Sequence, residues 1–135
     1  MIGLLLPLLA ASAEPGDALP PLPEWPAMAP LRYLHDPEIT PAMAQFAAEE
    51  IKAGRCTLAT SAEAPADPRR SLTVDVAVLV GADGMVRATV PHAINCPTVE
   101  QYAAGLVSSF TRDNLVPHGP GETWYRTSVT FRWMP

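Results

Sequence analysis

The sequence predicts one small α+β domain. Three observations carry that reading. Two runs of period-two apolar residues flank an Asp-Gly turn, an amphipathic stretch of helical period follows them, and an aromatic alternating run closes the chain. The expected architecture is a three-stranded antiparallel sheet in the order hairpin, helix, strand. It packs on one main helix and is preceded by a short helix and a proline-rich arm. With 135 residues the chain is long enough for one domain. Three segments are expected: residues 1–13 as a signal peptide, 14–39 as the arm and 40–135 as the folded domain.

The first segment opens with Ile2-Gly3-Leu4-Leu5-Leu6-Pro7-Leu8-Leu9-Ala10 and ends in Ala11-Ser12-Ala13. An apolar run closed by a small-residue site is the pattern of an export signal. The run falls short of the roughly 20 apolar residues that span a bilayer. Cleavage after Ala13 would leave a mature chain with no transmembrane span. No Lys or Arg precedes the run, which fits a start further upstream or a weak signal, and an uncleaved anchor is the competing reading.

Half of the 16 prolines fall between Pro15 and Pro41. Proline lacks the amide N–H and fixes φ, so Leu19 to Pro26 can form neither helix nor inner strand, and an extended arm is expected. Trp25, Leu31, Tyr33 and Leu34 are too apolar for a purely solvated linker and belong on the domain surface or on a partner.

The short helix is expected over residues 41–53. Thr40 can cap it, Pro41 suits the first helical position, and Gly54 suits a left-handed end. Met43, Phe46, Ala47 and Ile51 recur on one face, and Glu50 lies near that face. Residues 59–68 read as a loop. Leu72, Val74, Val76, Val78 and Val80 then alternate with Thr73, Asp75, Ala77 and Leu79, a strand buried mainly on one face. Gly81-Ala82-Asp83-Gly84 is a hairpin turn. In the return strand Val86, Ala88 and Val90 are expected to face the core, with Arg87 and Thr89 outward. The main helix carries Val99, Tyr102, Ala103, Leu106 and Phe110 on one face, with Thr98 and Gln101 placed as a capping box. Its end is expected at Asn114 or Leu115, and Gly105 is expected to let it approach the sheet. After the turn Pro117-His118-Gly119-Pro120-Gly121, Tyr125, Thr127, Val129, Phe131 and Trp133 alternate with Trp124, Arg126, Ser128, Thr130 and Arg132 as the third strand.

Cys56 and Cys96 are the only cysteines. In an exported chain an even pair is most simply one disulfide, the alternative being two unrelated buried thiols. Closing that loop constrains the unfolded chain by about 4 kcal/mol in the chain-entropy model. The formal net charge of −5 offers no electrostatic footprint for nucleic acid or an anionic membrane. His35, His92 and His118 are far apart, and no His or Cys spacing fits a metal site. Neither a phosphate loop nor any cofactor motif is present. Asp75, Asp83, Asp113, Glu100 and Glu122 form no acid/base pair that the sequence identifies. Cys96 near His92 is a remote candidate for a thiol-dependent hydrolase, which a disulfide would disarm. The expected class is therefore non-enzymatic.

The residues from Val74 to Val80, the turn Gly81-Ala82-Asp83-Gly84 with Met85 and Val86, the helix from Thr98 to Phe110, and Pro117-His118-Gly119-Pro120-Gly121 before Val129-Thr130-Phe131 together resemble the TonB carboxy-terminal domain family. The likeness runs from about Pro41 to Trp133. It implies a periplasmic domain whose last strand is a sheet edge that accepts a short peptide, in the family a segment of an outer-membrane receptor, by strand addition. By position the accepting segment is Arg126, Thr127, Ser128, Val129, Thr130 and Phe131. Arg126 also lies on the outer face with Trp124 and Arg132; Trp124 and Arg132 are candidate anchors, and the alternative is that these side chains guard an exposed edge, where charge discourages pairing. The arm is short, so a periplasmic or secreted TonB-like binding module is expected rather than an energy transducer. The alternative is an exported structural protein that forms a homodimer through its sheet edge. Trp25 is the residue that would cover the same edge in cis.

Overall fold

A computed structural model describes residues 18–57 and 70–134. The expected signal peptide, residues 14–17 of the arm and the 59–68 loop lie outside the described residues. In chain order the elements are a 3-10 turn (Trp25–Ala27), β1 (Ala29–Pro30), α1 (Pro41–Lys52), β2 (Arg70–Val80), β3 (Val86–Pro91), α2 (Pro97–Phe110) and β4 (Thr123–Trp133).

The sheet has four strands in the order β1-β4-β2-β3 rather than three. β2 pairs antiparallel with β4 along its whole length, from Arg70↔Trp133 to Val80↔Thr123. β2 also pairs antiparallel with β3. The added strand, β1, lies parallel to β4 through Ala29↔Tyr125 and Pro30↔Arg126, so the sheet is mixed. It is only two residues long. A proline is tolerated on an outermost strand because its missing N–H need not serve the ladder. Composition alone therefore hid β1, because the prolines that limit it also read as linker.

The core lies between one face of the sheet and the two helices. Val74, Val76, Val78, Val129 and Phe131 are buried there with Val99, Ala103 and Val107 of α2 and Ala44 and Ala47 of α1. α2 lies over β2 and β3, and α1 lies over β4. Phe46 and Tyr102 meet with tilted rings at 4.2 Å between the helices, and Tyr102 stacks on Phe131 at 6.0 Å. α1 begins as expected: the Thr40 hydroxyl accepts from the Met43 amide, and Pro41 follows. Gly54 turns the chain out of α1 at φ +80°.

The disulfide Cys56–Cys96 joins the exit of α1 to the start of α2. The Thr57 amide donates to the Asn95 carbonyl alongside it. α2 starts at Pro97 with Cys96 as its cap, not at the expected Thr98–Gln101 capping box. The Glu100 carboxylate does the capping instead, accepting from the Ile94 and Cys96 amides at 2.8 and 3.0 Å. Thr98 is thereby released to donate to Glu50 of α1 at 2.6 Å. α2 ends at Phe110, several residues before the expected Asn114. The Asn114 side chain closes it by donating to the Phe110 carbonyl. Gly105 faces open space and does not mediate close approach to the sheet.

β3 departs from the expected facing. A register shift at Leu79/Val80 pairs Val80 with Val86 but Leu79 with Ala88, leaving Arg87 as the extra residue. One extra residue reverses the parity of a strand. Val86 reaches the helix side, while Ala88 and Val90 turn to the outer face. There they meet Ala77, Leu79, Trp124 and Met28 in a second apolar cluster. β2 is accordingly buried on both faces over its last four residues, not on one.

Candidate functional site

The second cluster is closed by the arm. Trp124 is 8% exposed, and its indole N–H donates to the Pro20 carbonyl at 3.2 Å. Trp25 packs on the same outer face, its ring tilted against His92 at 4.8 Å. Trp124 is thus a core residue of the arm–sheet contact, not an exposed anchor. The sequence placed it on the right face and missed its cover, because nothing local says that a proline-rich segment will lie there. Trp25 covers the sheet's outer face, and it is Ala29, Pro30 and Leu31 that cover the edge.

That edge cover is partial. The Leu31 amide donates to the Arg126 carbonyl at 2.8 Å, and the Arg126 guanidinium donates to the Met28 carbonyl at 2.9 Å. Beyond Leu31 the arm leaves β4 and follows the segment after α2. The Val116 amide donates to the Arg32 carbonyl, the Leu34 amide to the Asn114 carbonyl, and the His35 amide to the Asn114 side chain. Tyr33 stays close enough to bond the Thr127 side chain, and burial raises its phenol above the usual value.

Among the described residues no strand pairs with β4 past Arg126 on the side away from β2. Backbone direction then identifies the open groups. In a strand, the N–H and C=O of alternate residues point to the same side. The Arg126 carbonyl points at the arm, so the backbone groups of Ser128, Thr130 and Arg132 point out of the sheet, and those of Thr127, Val129 and Phe131 point at β2. Of the six residues expected to form the accepting segment, Arg126 is already occupied by the arm. Ser128 and Thr130 present open ladder groups, and Arg132 extends the row.

Both sides of this row are structured. On the outer face the Ser128 hydroxyl donates to Asp75 at 2.7 Å and Thr130 shares a hydrogen bond with Thr73 at 2.9 Å. On the inner face the flank of α1 turned away from α2, including Gln45, Ala48, Glu49 and Lys52, forms a groove of about 390 Å³ with Arg70, Trp133 and Met134. α1 is held in place from its other flank by Glu50. That carboxylate takes the Arg55 guanidinium at 2.8 Å and the Thr98 hydroxyl, and both bonds hold it below the usual carboxylate range. Glu50 was noticed in the sequence only as a polar residue near an apolar face. Its second partner, Thr98, lies 48 residues away, which no local pattern reveals.

Of the acidic residues considered for other chemistry, Asp83 and Asp113 line one depression with Arg112. Cys56 and Cys96 are bonded to each other, and His92 lies against Trp25. The described residues contain no group of three or more His, Cys, Asp or Glu side chains placed to hold a metal ion. No described helix is long and apolar enough to cross a membrane. No family model, curated protein or solved structure matches the chain.

Proposed function

We propose that the protein is a non-enzymatic exported binding module that takes an extended partner peptide by strand addition along the second half of β4. The observation that carries this reading is the row of outward-facing backbone groups at Ser128, Thr130 and Arg132, next to the groove under α1. Main-chain bonds supply affinity in this mode, and side-chain pockets supply selectivity. Export is supported by the disulfide and by the leader pattern at residues 1–13. The sequence likeness to the TonB carboxy-terminal family makes the periplasm the compartment of choice and an outer-membrane receptor segment the kind of partner to try first.

Amide exchange tests the reading directly. In the free protein the Ser128, Thr130 and Arg132 amides are expected to exchange fast and those of Thr127, Val129 and Phe131 slowly. A bound extended peptide should slow the first set. Equal protection of both sets without peptide would mean that the edge is already covered.

Self-pairing is the second reading, and one feature favours it. An antiparallel pair of β4 strands centred on Thr130 places Arg132 opposite Ser128 of the second copy, beside the Asp75 that Ser128 binds. Sedimentation over a dilution series distinguishes the two: a constant monomer mass removes the homodimer.

A further inference from the structure

The charge around the open edge is opposite in sign to that of the whole chain. The protein carries a formal −5, yet Arg126 and Arg132 are exposed on the outer face of β4, and exposed Lys52 and Arg70 line the groove on its inner side. Among the described residues beside the row, two carboxylates stand against these four cations. Glu49 accepts from the Gln45 side chain, and Asp75 accepts from Ser128. Away from the edge, Arg55 pairs with Glu50 and Arg87 with Glu122. The edge keeps a cationic surplus on both faces of the position that an added strand would fill.

From this we infer that the occupant of the edge is an acidic extended peptide, with two adjacent acidic residues at the end that lies beside Arg132. The inference rests on the strand-addition reading and adds the chemistry of the ligand. Adjacent residues of a strand point to opposite faces. One acidic side chain therefore meets Arg132 on the outer face, and its neighbour meets Lys52 and Arg70 in the groove. Arg126 lies about 20 Å further along, at the rise of an extended chain, where the open row meets the arm. Complementary rim charge steers encounter and selects partners, and like charge rejects basic strands. The same arginines therefore repel basic strands and favour an acidic one.

The test uses the full mature chain and three synthetic peptides that share an alternating apolar segment. They carry Glu-Glu, Gln-Gln or Lys-Lys, with the pair placed at either end to cover both strand directions. Fluorescence anisotropy at low and high salt reads the affinity. The acidic peptide is expected to bind about tenfold more tightly than the neutral one at low salt, with the gap closing as salt rises. Arg132→Glu should weaken the acidic peptide by about fivefold and strengthen the basic one. Equal affinities for all three peptides, unmoved by Arg132→Glu, would overturn the acidic inference and leave strand addition standing. A peptide N-methylated at alternate amides, tried in both phases, separates the underlying reading without altering the protein. One phase should lose binding, and undiminished binding in both would overturn strand addition together with the inference. Mass doubling of the chain that acidic peptide does not reverse would assign the edge to a second copy and overturn the inference as well.

Discussion

The two halves of β4 share one alternating pattern and live in different surroundings. In the first half β2 flanks the strand on one side and the arm pairs with Tyr125 and Arg126 on the other, and Trp124 on the outer face is buried with Met28 and Trp25. From Ser128 onward the same strand has β2 on one side, no strand on the other among the described residues, and a polar outer face of Ser128, Thr130 and Arg132. An edge is therefore not a property of a strand as a whole. It is decided residue by residue, by where a covering segment runs out. Here the arm diverges at Leu31, where its backbone turns from Arg126 to the segment after α2.

The largest expected contrast comes from one substitution in each half. Trp124→Ala opens the dry cluster and is expected to cost about 3–5 kcal/mol. Arg132→Ala in the open half is expected to change stability by no more than about 0.5 kcal/mol. Denaturant unfolding checks both, and similar losses would erase the distinction between the halves.

Proline substitution sharpens the backbone side of the comparison. Val129→Pro deletes an N–H directed at β2 and is expected to cost at least about 2 kcal/mol. Thr130→Pro deletes an outward N–H and should be milder in stability while removing peptide binding. Thermal unfolding combined with anisotropy reads both effects, and the reverse ranking would invert the assigned backbone directions.

Acidification probes the clasp that holds α1 above the open half. The Glu50 carboxyl is lowered in the folded protein, chiefly by its bond to Arg55 and then by Thr98. A lowered carboxyl stabilises above its unfolded value, and that contribution is lost as pH falls through the folded value. Stability is expected to decline from about pH 4.5 downward, and Glu50→Gln should flatten that decline. Unfolding midpoints measured between neutral and strongly acidic pH check the slope, and an unchanged slope in the variant removes the clasp from the account.

The smallest effect is a control on α2, away from both halves. Gly105 is exposed and helical, with nothing within 4 Å of where a Cβ would stand. Gly105→Ala is expected to raise stability by about 0.5–1 kcal/mol and to leave peptide affinity unchanged. An altered affinity would show that the open half depends on global stability and not on its own geometry.

Much of the framework was legible in the sequence. Thr40-Pro41 and Gly54 bound α1, Asp83-Gly84 turns the hairpin, and the alternation from Tyr125 to Trp133 describes β4. Each rests on residues within one turn or one strand of each other, where local sterics and hydrogen bonding dominate. The misreadings came from longer range. The bulge at Leu79/Val80 moved Ala88 and Val90 to the other face, Glu100 took over the cap expected of Thr98, and the arm became a fourth strand.

The chain's own chemistry was enough to define the helices, the hairpin, the last strand and the pairing of two cysteines, because those depend on φ preferences, period and composition that each short segment carries with it. Which half of β4 stays open, which tryptophan is buried and where the cations gather were decided only in three dimensions. Those outcomes depend on the arm, about a hundred residues away in sequence, docking on a surface that exists only once β2, β3 and β4 have assembled.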